Sequence, residues 1–238
     1  MADDSKAASS EALGTDPQFV HLRVHSAFSL LEGALPLKKV IGKAVADNQP
    51  AIGIADTNNL FAALEFSQKA AGDGLQPITG CQLSIDMEDE TEGDRRGHGH
   101  QLAKLPSIVL IAATDDGYTR LVDLVSRAYL SGEGSQSTRI TRSWLAECGT
   151  EGLIALTGAS GGPVDVAMKT SSTALAEARL EALHDLFGDR LYIELQRHGG
   201  YDRRHESRMI ELAYKFDIPL VATNEAFFPS PSDYEAHD

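Results

Sequence analysis

The chain has 238 residues, 42% of them hydrophobic, and carries 35 acidic side chains against 21 basic ones for a net charge of −14. That is enough apolar content for one sizeable core, while the charge argues against a surface that grips duplex DNA, which takes Lys and Arg to displace phosphate counterions. No apolar run approaches the roughly eighteen residues of a membrane helix, and Cys81 and Cys148 have no CxxC partner, so a membrane span, a disulfide framework and a zinc knuckle are all unsupported.

Residues 1–17 set Asp3, Asp4, Glu11 and Asp16 against Lys6 and end at Pro17. They read as a disordered acidic tail and not as a signal peptide, so a cytoplasmic location is expected. Phe19–Val24 then alternates as a short strand with His21, Arg23 and His25 on one face, followed by a loop that ends at Gly33. A polar cluster where a strand ends in a Gly-bearing loop is where α/β proteins place their chemistry. His21 and His25 are four strand residues apart, roughly 13 Å at about 3.3 Å per residue, too far to share one ion.

Leu37, Val40, Ile41, Ala44 and Val45 follow at helical spacing, then an apolar strand at Ala51–Ala55. Gln76–Ile85 is a second apolar strand. Asp86–Lys104 is poor in apolar residues and reads as a flexible surface insertion, where His98 and His100 lack a third ligand nearby and belong to a solvated loop. Ser107–Ala113 is the next strand, and Asp115 is placed as the N-cap of a helix through Tyr118, Leu121, Val122, Val125, Ala128 and Tyr129. Strands at Leu153–Thr157, Leu191–Leu195 and Pro219–Ala222 alternate with helices over Leu175–Phe187 and Ser207–Phe216. Gly158–Gly162, ahead of Pro163, reads as a plain loop, with an anion-binding turn as the alternative.

Seven strand-like runs alternating with helices, several apolar throughout, indicate parallel strands covered by outer helices. The expectation is one α/β domain over residues 18–238, a distorted seven-stranded (β/α)7 barrel, with a doubly wound open sheet as the rival. No Gly-x-Gly-x-x-Gly follows a strand and no P-loop occurs, which weakens the rival.

Several landmarks resemble, in order, the PHP (polymerase and histidinol phosphatase) domain of bacterial DNA polymerase III alpha subunits. They are His21-Leu-Arg-Val-His25-Ser, Ser29-Leu-Leu-Glu-Gly33, Ala55-Asp56-Thr57-Asn-Asn-Leu60, Pro77-Ile-Thr-Gly80, Arg127-Ala-Tyr-Leu130, Tyr192-Ile-Glu-Leu-Gln-Arg-His198-Gly199 and Val221-Ala-Thr-Asn-Glu225. The resemblance implies the distorted barrel and, in some members, a cluster of metal ions at the strand ends that hydrolyses phosphate esters or proofreads DNA.

Measured against that pattern, the ligand set is eroded. The resemblance puts Arg23 and His25 where active relatives carry His-x-His, and a guanidinium cannot become a ligand. It puts Thr57 beside Asp56 in place of a His, Gln82 in place of an acid, Ser107 and Ala159 near positions of His and Cys, and Phe227 after Glu225 in place of a final imidazole. The vestigial pocket is therefore Arg23, His25, Glu32, Asp56, Thr57, Gln82, His198 and Glu225. No catalytic residue, metal or cofactor is expected; the alternative is one Mg, Mn or Zn ion on His25, Glu32, Asp56 and His198. Arg23 is expected to fill the space of the missing ions and to pair with Asp56 or Glu32. Glu194, Asp202 and Glu206 read as salt-bridged surface or core-edge residues, and Ser26 and Ser29 lack the setting of a serine nucleophile.

The resemblance implies an amino-terminal fragment of a larger polymerase chain, itself non-catalytic, whose partners are the proofreading exonuclease subunit and the rest of the alpha chain, with little direct DNA binding and no membrane. The rival function is a residual metal-dependent phosphoesterase or pyrophosphatase.

Overall fold

The computed structural model describes residues 19–89, 105–131, 138–170, 172–198, 202–230 and 232–233. The tail at 1–17, His98 and His100 with most of the 86–104 insertion, and Gly199 lie outside the described residues.

Helix α1 (Leu37–Ala46) buries Leu37, Val40, Ile41 and Ala44, the i, i+3, i+4, i+7 stripe of its sequence, while Val45 stays exposed. It leads into β1 (Ala51–Thr57), α2 (Ala63–Gly72) and β2 (Gln76–Asp86). Strand β3 (Ser107–Ala112) is followed by α3 (Asp115–Leu130), a two-residue β4 (Ile140–Thr141) and α4 (Arg142–Cys148). The order continues with β5 (Leu153–Leu156), α5 (Pro163–Lys169), α6 (Thr173–Phe187), β6 (Leu191–Leu195), α7 (Arg203–Phe216) and β7 (Leu220–Ala222).

These strands make one curled, mixed sheet in the order β1-β2-β3-β5-β6-β7, with β4 paired to β2. β1 runs parallel to β2, and β5 to β6 to β7, but β3 is antiparallel to both β2 and β5. The expectation of uniformly parallel strands is thus corrected at β3. A strand buried on both faces is apolar throughout whichever way its neighbours run, so an apolar run carries no record of direction.

Curling gives the sheet two different faces. Ile108 and Leu110 of β3 point to the main core under α3, α6 and α7, whereas Val109 and Ile111 join Ala55 and Leu156 in a small inner cluster. α1 and α2 cover β1 with a third cluster built on Phe66, Ile41 and Ile52.

Phe19–Val24 is not a ladder strand. It makes one bridge, Val24 to Ala226, while Gly53 N–H donates to the His21 carbonyl at 2.6 Å and Ala55 N–H to that of Val24 at 2.9 Å. His25 N–H donates to the Ala226 carbonyl and Ala34 N–H to that of Phe227. The segment therefore lies between β1 and the chain after β7, its backbone groups divided between the two. Three helix boundaries also differ from expectation. Thr114, not Asp115, caps α3 by accepting from Gly117 N–H at 3.1 Å, α6 begins two residues before Leu175, and α7 begins four residues before Ser207. Pro163 opens α5 at its first position, where a missing N–H costs nothing.

Candidate functional site

The polar residues gather on one rim of the curled sheet because most sit at, or just beyond, the end of an apolar strand, and Gln82, inside β2, lies level with Thr57 by register. Asp56 and Thr57 close β1, Glu194 lies near the end of β6, and Glu225 follows β7. β3 runs the other way and so offers its first residue, Ser107, at this same rim, paired with Ser84.

Arg23 is at the centre and only 2% exposed. Its Nε and Nη2 donate to Gln82 Oε1 at 3.0 and 2.6 Å, and Nη1 donates to the Gly158 carbonyl at 3.3 Å. Nη1 lies 3.2 Å from Glu194 Oε2 and Nη2 2.9 Å from Glu225 Oε1. A guanidinium taken out of water is tolerable only with its fork of donors filled and its charge matched, and here two carboxylates, an amide and a carbonyl do both. The expected pairing with Asp56 or Glu32 is corrected: the carboxylate partners are Glu194 and Glu225. Nor is Glu194 a surface or core-edge residue. It is 1% exposed, and its Oε1 also accepts from Thr223 Oγ1 and from Gln196 Nε2 at 3.3 Å.

Asp56 is occupied elsewhere. Its Oδ1 accepts from Ser26 N–H and Ser29 Oγ, each at 2.7 Å, and its Oδ2 from Ser26 Oγ at 2.8 Å. Ser29 Oγ in turn accepts from Thr57 N–H at 3.1 Å, so the carboxylate pins the 26–33 loop onto the end of β1. Thr57 Oγ1 donates to Glu32 Oε2 at 2.5 Å.

His25 is fully buried, with Nε2 3.2 Å from Glu225 Oε1 and Nδ1 within 3.3 to 3.4 Å of Ser29 Oγ and Thr57 Oγ1. The Phe227 ring stacks on it at 4.4 Å. Burial pushes the Glu225 carboxyl up, but the hydrogen bond with His25, the charge of Arg23 and those of His25 and His198 together outweigh it and hold the group below its ordinary range. His198 itself is exposed, its Nε2 3.2 Å from Gln196 Oε1. His21 is half-buried outside this cluster, and its Nδ1 has no partner. Cys81 is buried, donates to the Asp56 and Asn59 carbonyls, and has its thiol pKa pushed far up by burial, which leaves it inert.

The structure thus brings Arg23, His25, Glu32, Asp56, Thr57, Gln82 and Glu225 to one rim and leaves His198 at its exposed edge. Sequence reasoning passed over Glu194, Ser26, Ser29, Thr223 and the Gly158 carbonyl as parts of this network. One signal was available for Glu194: a lone acid in an otherwise apolar strand has to find a cation once buried.

These donors do not suit a metal cluster. The oxygens of Asp56 are filled by three donors, a cation stands between Glu194 and Glu225, and among the described residues no three His, Cys, Asp or Glu side chains are grouped to hold an ion.

The PHP domain family model matches residues 21–198. The chain is 43% identical over 222 residues to DNA polymerase III subunit alpha of Caulobacter vibrioides, covering 92% of this chain and 19% of that protein. It is 34% identical over 225 residues to the Escherichia coli K12 protein of the same name and 36% identical over 229 residues to that of Thermus aquaticus, covering 94% and 95% of this chain and 18% of each relative. The chain therefore spans just under a fifth of the length of these relatives. Among solved structures, a putative metal-dependent phosphoesterase from Bifidobacterium adolescentis superposes with a TM-score of 0.57 at 12% identity over 89% of both chains. An amidohydrolase from Chromobacterium violaceum superposes with a TM-score of 0.54 at 13% identity, covering 89% of this chain and 88% of the other. At such identities the likeness is one of fold.

Proposed function

The chain belongs to the PHP domain family, and from that premise we propose that it is the amino-terminal PHP module of a cytoplasmic replicative DNA polymerase III alpha subunit, non-catalytic in itself, which steadies the polymerase and docks the proofreading exonuclease subunit. The observation that carries this reading is the Arg23 guanidinium, buried between Glu194 and Glu225 where a hydrolytic relative would be expected to gather divalent cations. Hydrolysis of a phosphate ester on metal ions needs open coordination positions for water and substrate, and this rim offers filled hydrogen bonds instead. The alternative of a residual phosphoesterase keeps His25, Glu32, Asp56 and His198 as candidate ligands of one ion, but Asp56 would have to release its three donors first.

The backbone bonds from the 21–25 segment to β1 on one side and to Ala226 on the other support closure of the curled sheet into the distorted barrel. A ring closed in this way, its central guanidinium ion-paired to Glu194 and Glu225, would serve as a platform, and a platform that tethers an editing enzyme beside the synthetic site raises its effective concentration without new chemistry.

The test is retention of the exonuclease subunit's carboxyl-terminal region on the immobilised 238-residue chain. Retention at micromolar protein, unchanged by a chelator, is expected. No retention contradicts the docking role, and loss of retention on chelation contradicts the metal-free platform.

A further inference from the structure

Helix α3 carries a wider apolar face than the core uses. Gly117, Leu121, Leu124 and Ala128 are buried along it. That stripe is held close at its start, where a Cβ added to Gly117 would meet the Gly152 carbonyl oxygen at 1.9 Å. Tyr118, Val122, Val125 and Tyr129 repeat the same i, i+4, i+7, i+11 spacing one position later, about 100° further round the helix. Tyr118, Val122 and Tyr129 remain 38%, 37% and 50% exposed, Val125 is only partly covered by the core, and Leu130 at the helix end is 87% exposed. Single apolar side chains on a surface are ordinary, but four aligned over about 16 Å of one helix make a continuous seam. Tyrosines stand at both of its ends, and tyrosine is a residue type that protein interfaces favour.

The charges on α3 are unevenly matched. Its two cations are engaged: Arg127 lies 2.7 Å from Glu147 and over the Trp144 ring at 4.3 Å, and Arg120 lies 3.6 Å from Glu151. Its acids Asp115, Asp116 and Asp123 are exposed and make no ion pair among the described residues. Helical geometry puts Asp115 and Asp123 on the solvent side of the tyrosine seam, away from the buried stripe. The seam is thus edged by uncompensated negative charge. A second copy of this chain laid on it would bring acid against acid, and nucleic acid or an anionic lipid surface would be repelled in the same way.

We propose that the outer seam of α3 docks a protein segment folded as a basic amphipathic helix, its apolar stripe laid along Tyr118, Val122, Val125 and Tyr129 and its Lys or Arg side chains facing Asp115 and Asp123. Apolar anchors spaced by the helical turn supply the affinity in this mode of recognition, and the charged edge sets orientation and selects the partner. The inference stands apart from the polar rim, since no residue of α3 belongs to the Arg23 network, and it does not depend on which subunit the chain docks.

The probe is a fluorescein-labelled peptide of about 18 residues, long enough to hold a helix, with leucine at i, i+3, i+4 and i+7 and lysine elsewhere. Its anisotropy is followed on titration with the 238-residue chain at moderate salt, beside a peptide of the same composition in scrambled order. The amphipathic peptide is expected to bind about tenfold or more tighter than the scrambled one. The Tyr118→Ser, Tyr129→Ser double variant is expected to weaken it by about tenfold, and the Asp115→Asn, Asp123→Asn double variant by about threefold. All four changed positions are exposed. If the tyrosine variant unfolds more readily, the aspartate variant decides, since it removes charge and no packing. Equal binding of the two peptides, unchanged affinity in a folded variant, or no binding up to about 100 μM chain overturns the proposal.

Discussion

Arg23 is a buried cation whose removal would strand two acids. Glu194, 1% exposed, would keep only neutral donors, and Glu225 would keep the hydrogen bond with His25 and the charge of His198. Breaking a buried ion pair from one side costs about 3–5 kcal/mol, because the remaining charge stays desolvated. Arg23→Ala is therefore expected to lower the free energy of unfolding in urea by about that amount, and an unchanged midpoint would contradict the role given to the guanidinium. Glu225 adds a pH signature. Its folded pKa is depressed below the ordinary 4.5, so the folded chain binds fewer protons there than the unfolded chain, and its stabilisation is complete above that value and lost as pH falls through the folded one. Glu225→Gln should flatten the acid limb of the stability profile. Equal acid limbs for the two proteins would contradict the arrangement.

At the scale of elements, the turn between β5 and α5 links backbone to site. Gly158 has φ +87° and a carbonyl that receives Arg23, and a Cβ added there would meet the Ser107 carbonyl oxygen at 1.9 Å. Gly158→Ala should thus destabilise by about 1–3 kcal/mol, beyond the usual effect of a loop glycine, with the loss read from urea unfolding; a neutral or stabilising result would contradict the turn geometry. This turn also shows what was legible in the sequence. A glycine cluster ahead of Pro163 marks a loop and a helix start, both present, but nothing in it announces that its carbonyl faces an arginine 135 positions earlier. Six of the seven expected strand-like runs are strands, Phe19–Val24 making only one bridge, whereas the reversed β3 and the two-residue β4 were not legible, since direction and very short pairings leave no periodic trace. The site followed the same division. Arg23 stood out where the first strand-like run ends and Asp56 and Gln82 were marked by the resemblance alone, while the choice of Glu194 and Glu225 over Asp56 as partners was decided by the serines of the 26–29 loop, which claim Asp56 for themselves.

Over the whole molecule, the excess of acidic side chains does not suit a nucleic-acid groove. Among the described residues no helix is long and apolar enough to cross a membrane. With a net charge of −14 there is little to displace phosphate counterions, so gel-shift assays are expected to show no duplex DNA binding at micromolar chain and moderate salt; a clear shift would contradict this reading of the surface. We infer that the Arg23 guanidinium, between Glu194 and Glu225, stands where a hydrolytic PHP domain would hold its divalent ions. Elemental analysis of the chain purified without chelator decides this. Less than one equivalent of Mn, Zn or Fe per chain, with an unfolding midpoint indifferent to chelator, is the predicted result; two or more equivalents that vanish in His25→Ala would contradict it.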